Sequence, residues 1–483
     1  MEVQRRSVKS NMIYNTLFQV LIYVIPFITA PYVSRVLGVE HVGQYSYALS
    51  IVTYFTIFAT LGSSTHGQRI IAYNRDNPNQ LNQEFWNTVF FRIITTTLSI
   101  IAYLIYLSLR KSVSLLEFIV ILNTLNVAFD ITWFFQGIED FKQTVIRGLI
   151  VRLFGLAGVF IFVRSPDDTC KYAVILLGSQ LLGSLSLWVR IPQLVGRPRY
   201  RIHPFSNFRD IFLVFLPTIA SQVYLVLDKS MIGWITKSDY QNGCYDQSER
   251  LVRVILSLIS SISTVVLPRV ANLFVRDQID QAKNYVYKSY RVVLLIAVPC
   301  FFGIVASAKI LIPVYLGNGY ELSVPLLQIF AWLLIVVSIA SITGFAYLVP
   351  TKQQNVYTVS VALAALANLI MNLTLIPRIG AVGAAIASII AETIGTTIQI
   401  SYCVKKKQLE LKKIFLPSWK YCLAGCIMFT LLLMVRNHVG TNILGFMLIF
   451  LIGVISYAGL LIIFRDSLFL YFLKKVKSKV THK

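Results

Sequence analysis

The chain has 483 residues, 56% of them hydrophobic and only 13% charged, with a formal net charge of +23. A soluble protein of this length carries about 25% charged residues, so a soluble globular fold is excluded. The positive charge does not mark a nucleic-acid binder, because Lys and Arg collect in the gaps between apolar runs rather than on one soluble face.

The apolar runs have the length of about 20 residues that a transmembrane helix needs. The first follows Arg5, Arg6 and Lys9, the flank of a signal peptide, but it contains Asn15, Gln19 and Pro26 and no small-residue cleavage site follows. It is therefore expected to be a membrane helix kept in the mature protein. Fourteen spans are predicted, near 12–34, 42–65, 86–109, 114–136, 145–163, 170–190, 210–235, 248–268, 288–308, 322–349, 354–377, 380–403, 417–435 and 441–464. The span at 322–349 is long enough to tilt or kink. The predicted fold class is all-α and polytopic.

With a cytoplasmic N-terminus, the inside gaps and tails hold 29 Lys and Arg residues and the outside gaps nine. That asymmetry predicts both termini on the cytoplasmic side. The outside gaps are short, so no extracytoplasmic domain is expected. The longest strongly basic connector, 191–209, falls between spans six and seven. A weak internal repeat surrounds it. Pro26 matches Pro217, Gly43 to Tyr47 matches Gly243 to Gln247 as a second polar hinge, and Gly137 to Lys142 echoes Pro350 to Gln354. The expected organisation is a six-helix lobe (1–190), a basic linker (191–209), a second six-helix lobe (210–403), and two extra helices with a basic tail (404–483).

Charge inside apolar spans is costly, about 2.5–3.5 kcal/mol per group on insertion scales, and marks a pathway or a paired site. Nine such residues stand out: Arg92, Asp130, Arg152, Asp228, Lys229, Glu249, Arg250, Arg253 and Glu392. Neighbours Asp228 and Lys229 cannot face each other along a helix, whereas Glu249 and Arg253 are spaced i,i+4 in the favourable order. Either the set holds helices together as ion pairs or it lines a cavity. Cations outnumber anions five to four, and arginine suits a phosphate-bearing or otherwise anionic substrate. Arg92, Arg152, Glu249 and Arg250 lie near predicted helix ends and could instead snorkel. Asn123, Asn126, Gln136, Gln222, Asn368 and Asn372 could bond sugar hydroxyls or other helices. Trp133 and Trp234 could stack on a sugar or join the interfacial aromatic belt. His66 could relay protons or simply end span two near the headgroups. Gly383, Ala387, Ala391 and Gly395 form a small-residue packing face.

The six cysteines (Cys170, Cys244, Cys300, Cys403, Cys422, Cys426) lack metal-ligand spacing. No Gly-Lys dipeptide exists, so there is no Walker A loop. No cofactor and no metal is expected.

The run Asp130 to Lys142 (DITWFFQGIEDFK) resembles the signature after span four in Wzx-type polysaccharide flippases. So do Pro31 to Gly38 (PYVSRVLG), Gly43 to Tyr47, Leu61-Gly62 leading to Arg69 to Ala72, Leu227 to Gly233 (LDKSMIG) and Leu267 to Arg269. Those proteins are part of the multidrug/oligosaccharidyl-lipid/polysaccharide exporter superfamily. The resemblance implies a non-enzymatic protein with two six-helix lobes around a central cation-lined cavity. It implies movement, without ATP, of polyprenyl-diphosphate-linked oligosaccharides to the outer leaflet for capsule, O-antigen or exopolysaccharide assembly. Arg92, Arg152, Lys229, Arg250 and Arg253 would attract the diphosphate or an acidic sugar, and Asp228, Glu249 and Glu392 would tune or couple the cycle. Spans thirteen and fourteen would form a groove for the lipid tail. The lipid-linked substrate, membrane lipids, a coupling H+ or Na+, and polymerase and chain-length proteins are the implied partners. The alternatives are an ion-coupled multidrug exporter, a membrane-embedded polysaccharide polymerase or glycosyltransferase, and a peptidoglycan-precursor flippase.

Overall fold

The computed structural model describes the backbone of residues 8–481, and side chains from Phe27 onward apart from short stretches such as 141–143 and 216–218. Arg5, Arg6 and Lys483, and the side chains of Lys9, Asn15, Gln19, Pro26, Lys142, Pro217, Lys477 and Lys479, lie outside the described residues. Every long element among the described residues is helical. Among the described residues, eleven helical runs are long and apolar enough to cross a membrane. Packing divides the chain into two compact units, 1–243 and 244–483.

The first unit runs through α1 (Val8–Thr60), α2 (Ser63–Asn74), α3 (Pro78–Ser108), α4 (Leu115–Ile119), α5 (Ile121–Phe129), α6 (Thr132–Gly137), α7 (Phe141–Phe162), α8 (Thr169–Leu187), α9 (Ile191–Leu194), α10 (Phe208–Thr236) and the start of α11 (Asp239–Val275). Gly38, with φ 78° and ψ 170°, breaks α1 so that it holds spans one and two. That backbone is the left-handed region that glycine occupies without a Cβ penalty. Leu61 and Gly62 turn the chain again before α2, both at positive φ. Asn77 caps α3 by accepting from the amides of Asn79 (3.2 Å) and Gln80 (3.3 Å), with Pro78 in the first turn.

The hinges expected at 43–47 and 243–247 are helical. The turns come a few residues earlier, at Gly38 and at Lys237, which adopts φ 50°. The glycines of the repeat have a different task, which is close approach. A Cβ on Gly43 would stand 1.8 Å from the Asp239 carbonyl oxygen and 2.8 Å from the Gly243 nitrogen. One on Gly243 would stand 2.1 Å from the Val39 oxygen. The two copies of the repeated glycine therefore meet, backbone against backbone.

The second unit contains the rest of α11, then α12 (Ile279–Tyr315), α13 (Ser323–Ala340), α14 (Gln354–Lys405), α15 (Leu411–Phe415), α16 (Trp419–Arg436), α17 (Ile443–Ile463) and α18 (Ser467–Thr481). The long tenth span passes from α13 into a π-helical stretch, Ser341–Leu348. There Val349 N donates to Gly344 O at 3.1 Å, an i to i−5 bond. A break at Ile379 and Gly380 divides α14, which holds spans eleven and twelve. The small-residue stripe packs its second half on the first, with Ala387 and Ala391 fully buried. Buried Asp466 accepts from Arg291 Nη2 (3.1 Å) and Phe469 N (2.9 Å), fixing the start of α18 against α12.

Alanine at Gly43 or Gly243 meets main-chain atoms that cannot rotate away. Each substitution is expected to destabilise the protein by at least about 1–3 kcal/mol, the usual cost of overpacking. The check is the melting temperature of the detergent-purified chain; an unchanged value for both variants would remove this contact from the account.

Candidate substrate-binding site

The fourth span, expected as one helix, is interrupted at Asp130. Its backbone turns to φ −73°, ψ 108° between α5 and α6. Asp130 Oδ1 then accepts from the Thr132 amide at 3.0 Å and from the Thr132 hydroxyl. That side chain caps the helix that restarts. The carbonyls left open behind the break need donors. Arg92 of α3 supplies one: its Nε donates to Val127 O at 2.9 Å and its Nη1 to Ser64 Oγ at 3.0 Å. Its Nη2 stands 3.7 Å from Asp130 Oδ2. Only 2% of the arginine side chain is exposed. Arg92 thus joins α2, α3 and the broken span through protein partners on three sides.

The DITWFFQG signature serves packing. Trp133, Phe134 and Phe135 are buried. The Trp133 ring stacks on Phe85 with centroids 5.7 Å apart, and its Nε1 donates to Asp130 O at 3.1 Å. Trp133 is therefore neither a sugar platform nor an interfacial belt residue, while Trp234 is exposed. His66 is buried within α2 rather than ending span two at the headgroups.

The remaining charges divide between the units. Arg152 is half-buried on α7. Asp228 is buried on α10, and Lys229 follows it, half-buried, its carbonyl accepting from Asn242 Nδ2 at 3.0 Å. The Tyr54 and Ser230 hydroxyls lie 2.7 Å apart, tying α10 to α1 beside this pair. In the second unit Glu249 takes Arg253 Nε at 2.7 Å, the pair expected from spacing. A second pair lies three residues earlier: Arg250 Nη2 donates to Asp246 Oδ2 at 3.0 Å. Asp246 was not singled out from the sequence, although the same i,i+4 rule finds it. In both pairs the carboxylate is buried, at 5% and 7% side-chain exposure, while the guanidinium keeps 31% and 42%. The acids hold each arginine by one edge and fix its direction. Glu392 is half-buried on α14.

Three of the six polar uncharged residues bond within the protein. Asn123 Nδ2 donates to Thr56 Oγ1 at 3.2 Å, and Asn372 Nδ2 to Asn368 Oδ1 at 3.0 Å. An apolar groove of about 500 Å³ opens in the second unit, walled by Phe301 and Phe302 of α12, Pro325 and Trp332 of α13, and Phe429 of α16. Among the described residues no group of His, Cys, Asp and Glu could hold a metal ion.

These helices define a multi-pass α-helical membrane protein. Its fold matches a solved structure of the lipid II flippase MurJ in an inward closed conformation, with TM-score 0.75 and 16% identity over 95% of this chain and 99% of that one. An inward-facing MATE multidrug transporter of the MOP superfamily matches at TM-score 0.56 and 12% identity, over 84% of this chain and 96% of that one. The chain belongs to the polysaccharide biosynthesis protein family, whose model matches residues 8–274. The lipid II flippase MurJ family model matches residues 157–455. A protein of Escherichia coli called "Putative O-antigen transporter" is 23% identical over 85% of this chain and all of its own length. A "Probable low-salt glycan biosynthesis flippase" of Haloferax volcanii is 23% identical over 54% of each chain. These findings bear out the resemblance to Wzx-type flippases that the motifs carry.

Replacing Arg92 by alanine leaves the Val127 carbonyl without its donor and Asp130 without its cation. The expected cost is about 3–5 kcal/mol, as for a broken buried pair. Arg253→Lys keeps a cation beside the buried Glu249 carboxylate and should cost no more than about 1 kcal/mol. Thermal melting of both variants in one detergent tests the contrast, and equal losses would refute the division of roles.

Proposed function

We propose that the protein is a flippase that carries a polyprenyl-diphosphate-linked oligosaccharide repeat unit from the cytoplasmic to the outer leaflet, for assembly of a surface polysaccharide. The observation that carries this reading is the pair of half-exposed guanidiniums on α11, anchored by buried carboxylates, in a chain of the polysaccharide biosynthesis protein family. A glycan has many hydroxyls, each costly to strip of water in hydrocarbon. A polar cavity opening alternately to either side removes most of that cost, and arginine binds the diphosphate oxygens.

Under this reading Arg152, Lys229, Arg250 and Arg253 attract the anionic head, Asp228, Glu249 and Glu392 tune or couple the cycle to H+ or Na+, and Arg92 with Asp130 positions the broken span. The chain crosses the cytoplasmic membrane fourteen times with both termini inside. It is arranged as lobes 1–190 and 210–403, joined by 191–209, with the extra helices in 404–483. The groove walled by Phe302, Trp332 and Phe429 takes the lipid tail.

A peptidoglycan-precursor flippase is the second reading, favoured by the MurJ family match over 157–455. Deleting the gene and analysing membrane lipids by mass spectrometry separates the two. Complete repeat units on polyprenyl diphosphate, with surface polymer lost, are expected. Accumulated peptidoglycan precursor would favour the second reading, and unchanged lipids with raised drug sensitivity would point to a multidrug exporter. Lys229→Ala and the Arg250→Ala, Arg253→Ala double variant should reduce export at least about tenfold, the effect of losing one or two charge-assisted bonds. Full export by stably inserted variants would remove these residues from the site.

A further inference from the structure

The segment 191–209 reads in sequence as a basic linker, but the structure gives it a fixed course. Asn82 of α3, 2% exposed, donates through Nδ2 to the carbonyls of Val195 (2.8 Å) and Arg197 (3.0 Å). Its Oδ1 accepts from the Arg199 amide at 3.2 Å. Trp86 Nε1 donates to Gly196 O at 3.2 Å, and Asn87 Oδ1 accepts from the His203 amide at 2.8 Å. Further on, Asn207 Nδ2 donates to Glu84 Oε2 at 2.7 Å. A slack tether has no need of two buried asparagines that grip its main chain.

The grip leaves the cationic side chains outward. Arg197, Arg199 and Arg201 recur at every second residue of a non-helical stretch and are exposed, and none forms an ion pair among the described residues. No Asp or Glu occurs from Ile191 to Arg209. Tyr200, Phe205 and Phe208, at 45%, 54% and 45% exposure, stand among them. Arginine beside exposed aromatic rings is the composition of a membrane interface, where rings sit at the headgroup level and guanidinium meets phosphate.

We propose that the strap formed by residues 195–208, held on α3 by Asn82 and Asn87, is a binding site for anionic phospholipid headgroups. The chemistry needed is a phosphate oxygen beside apolar surface. Free phosphate supplies the first and not the second. The site stands apart from the flippase reading, since it asks only that the strap lie at a phospholipid surface.

The full-length protein, purified in detergent, is mixed with equal amounts of phosphatidylglycerol and phosphatidylcholine, and bound lipid is counted by native mass spectrometry. Phosphatidylglycerol should be enriched. The Arg197→Ala, Arg199→Ala, Arg201→Ala triple variant should lose enrichment by about fivefold per arginine, and the matching lysine triple should keep most of it. The Asn82→Ala, Asn87→Ala double variant should lose enrichment with all arginines present. An Arg276→Ala, Lys283→Ala variant, in another basic gap, should behave as the unmodified chain. Undiminished enrichment in the alanine triple overturns the proposal. So does loss of enrichment by the unmodified chain in millimolar inorganic phosphate at constant ionic strength, which would make the site one for free phosphate.

Discussion

A guanidinium held inside a membrane protein has to be answered on every side, and Arg92 is the place where that requirement shapes the first unit. Hydrocarbon offers no water to satisfy an interrupted helix, so a break in a spanning segment persists only where protein groups take over its lost hydrogen bonds. At Asp130 the takeover is shared: the carboxylate caps the helix ahead, and Arg92 serves the carbonyl behind. Ser64 and the Asp130 carboxylate hold the arginine in turn. Removing any member strands the others, which makes these three segments one cooperative node. Trp133 and the phenylalanines beside it seal the node from the apolar side.

Much of this was legible in the sequence, because hydropathy and charge act over long stretches. Apolar length located the helical runs, and i,i+4 spacing found the Glu249–Arg253 pair. The failures share a cause. Whether a charge inside a span faces substrate or protein depends on where a second helix puts its carbonyls, and that is tertiary information. Arg92 looked like a cavity residue for this reason. Trp133 looked interfacial because its position along the span is visible while its burial against Phe85 is not. The hinges were placed on the polar residues near 43 and 243, whereas the turns fall at Gly38 and Lys237, where a left-handed backbone was needed.

The arginines of α11 show how a membrane protein can present positive charge at moderate cost. Buried Asp246 and Glu249 neutralise part of each charge and fix its direction, while the arginine side chains stay partly exposed. A lone lysine would hold the same charge less specifically, since its ammonium lacks the fork that matches phosphate oxygens. The groove of Phe301, Trp332 and Phe429 adds an apolar surface within the same unit.

The contact between Gly43 and Gly243 has a bearing on how such a chain can change over time. Two residues that lie 200 positions apart pack at one crossing of α1 and α11. A Cβ on Gly43 would meet Asp239 and Gly243, and one on Gly243 would meet Val39, so neither can enlarge while those main-chain atoms stand where they do. A larger residue at either position requires the opposing backbone to move, so each of the two helices restricts the other's sequence at this crossing by a direct steric veto.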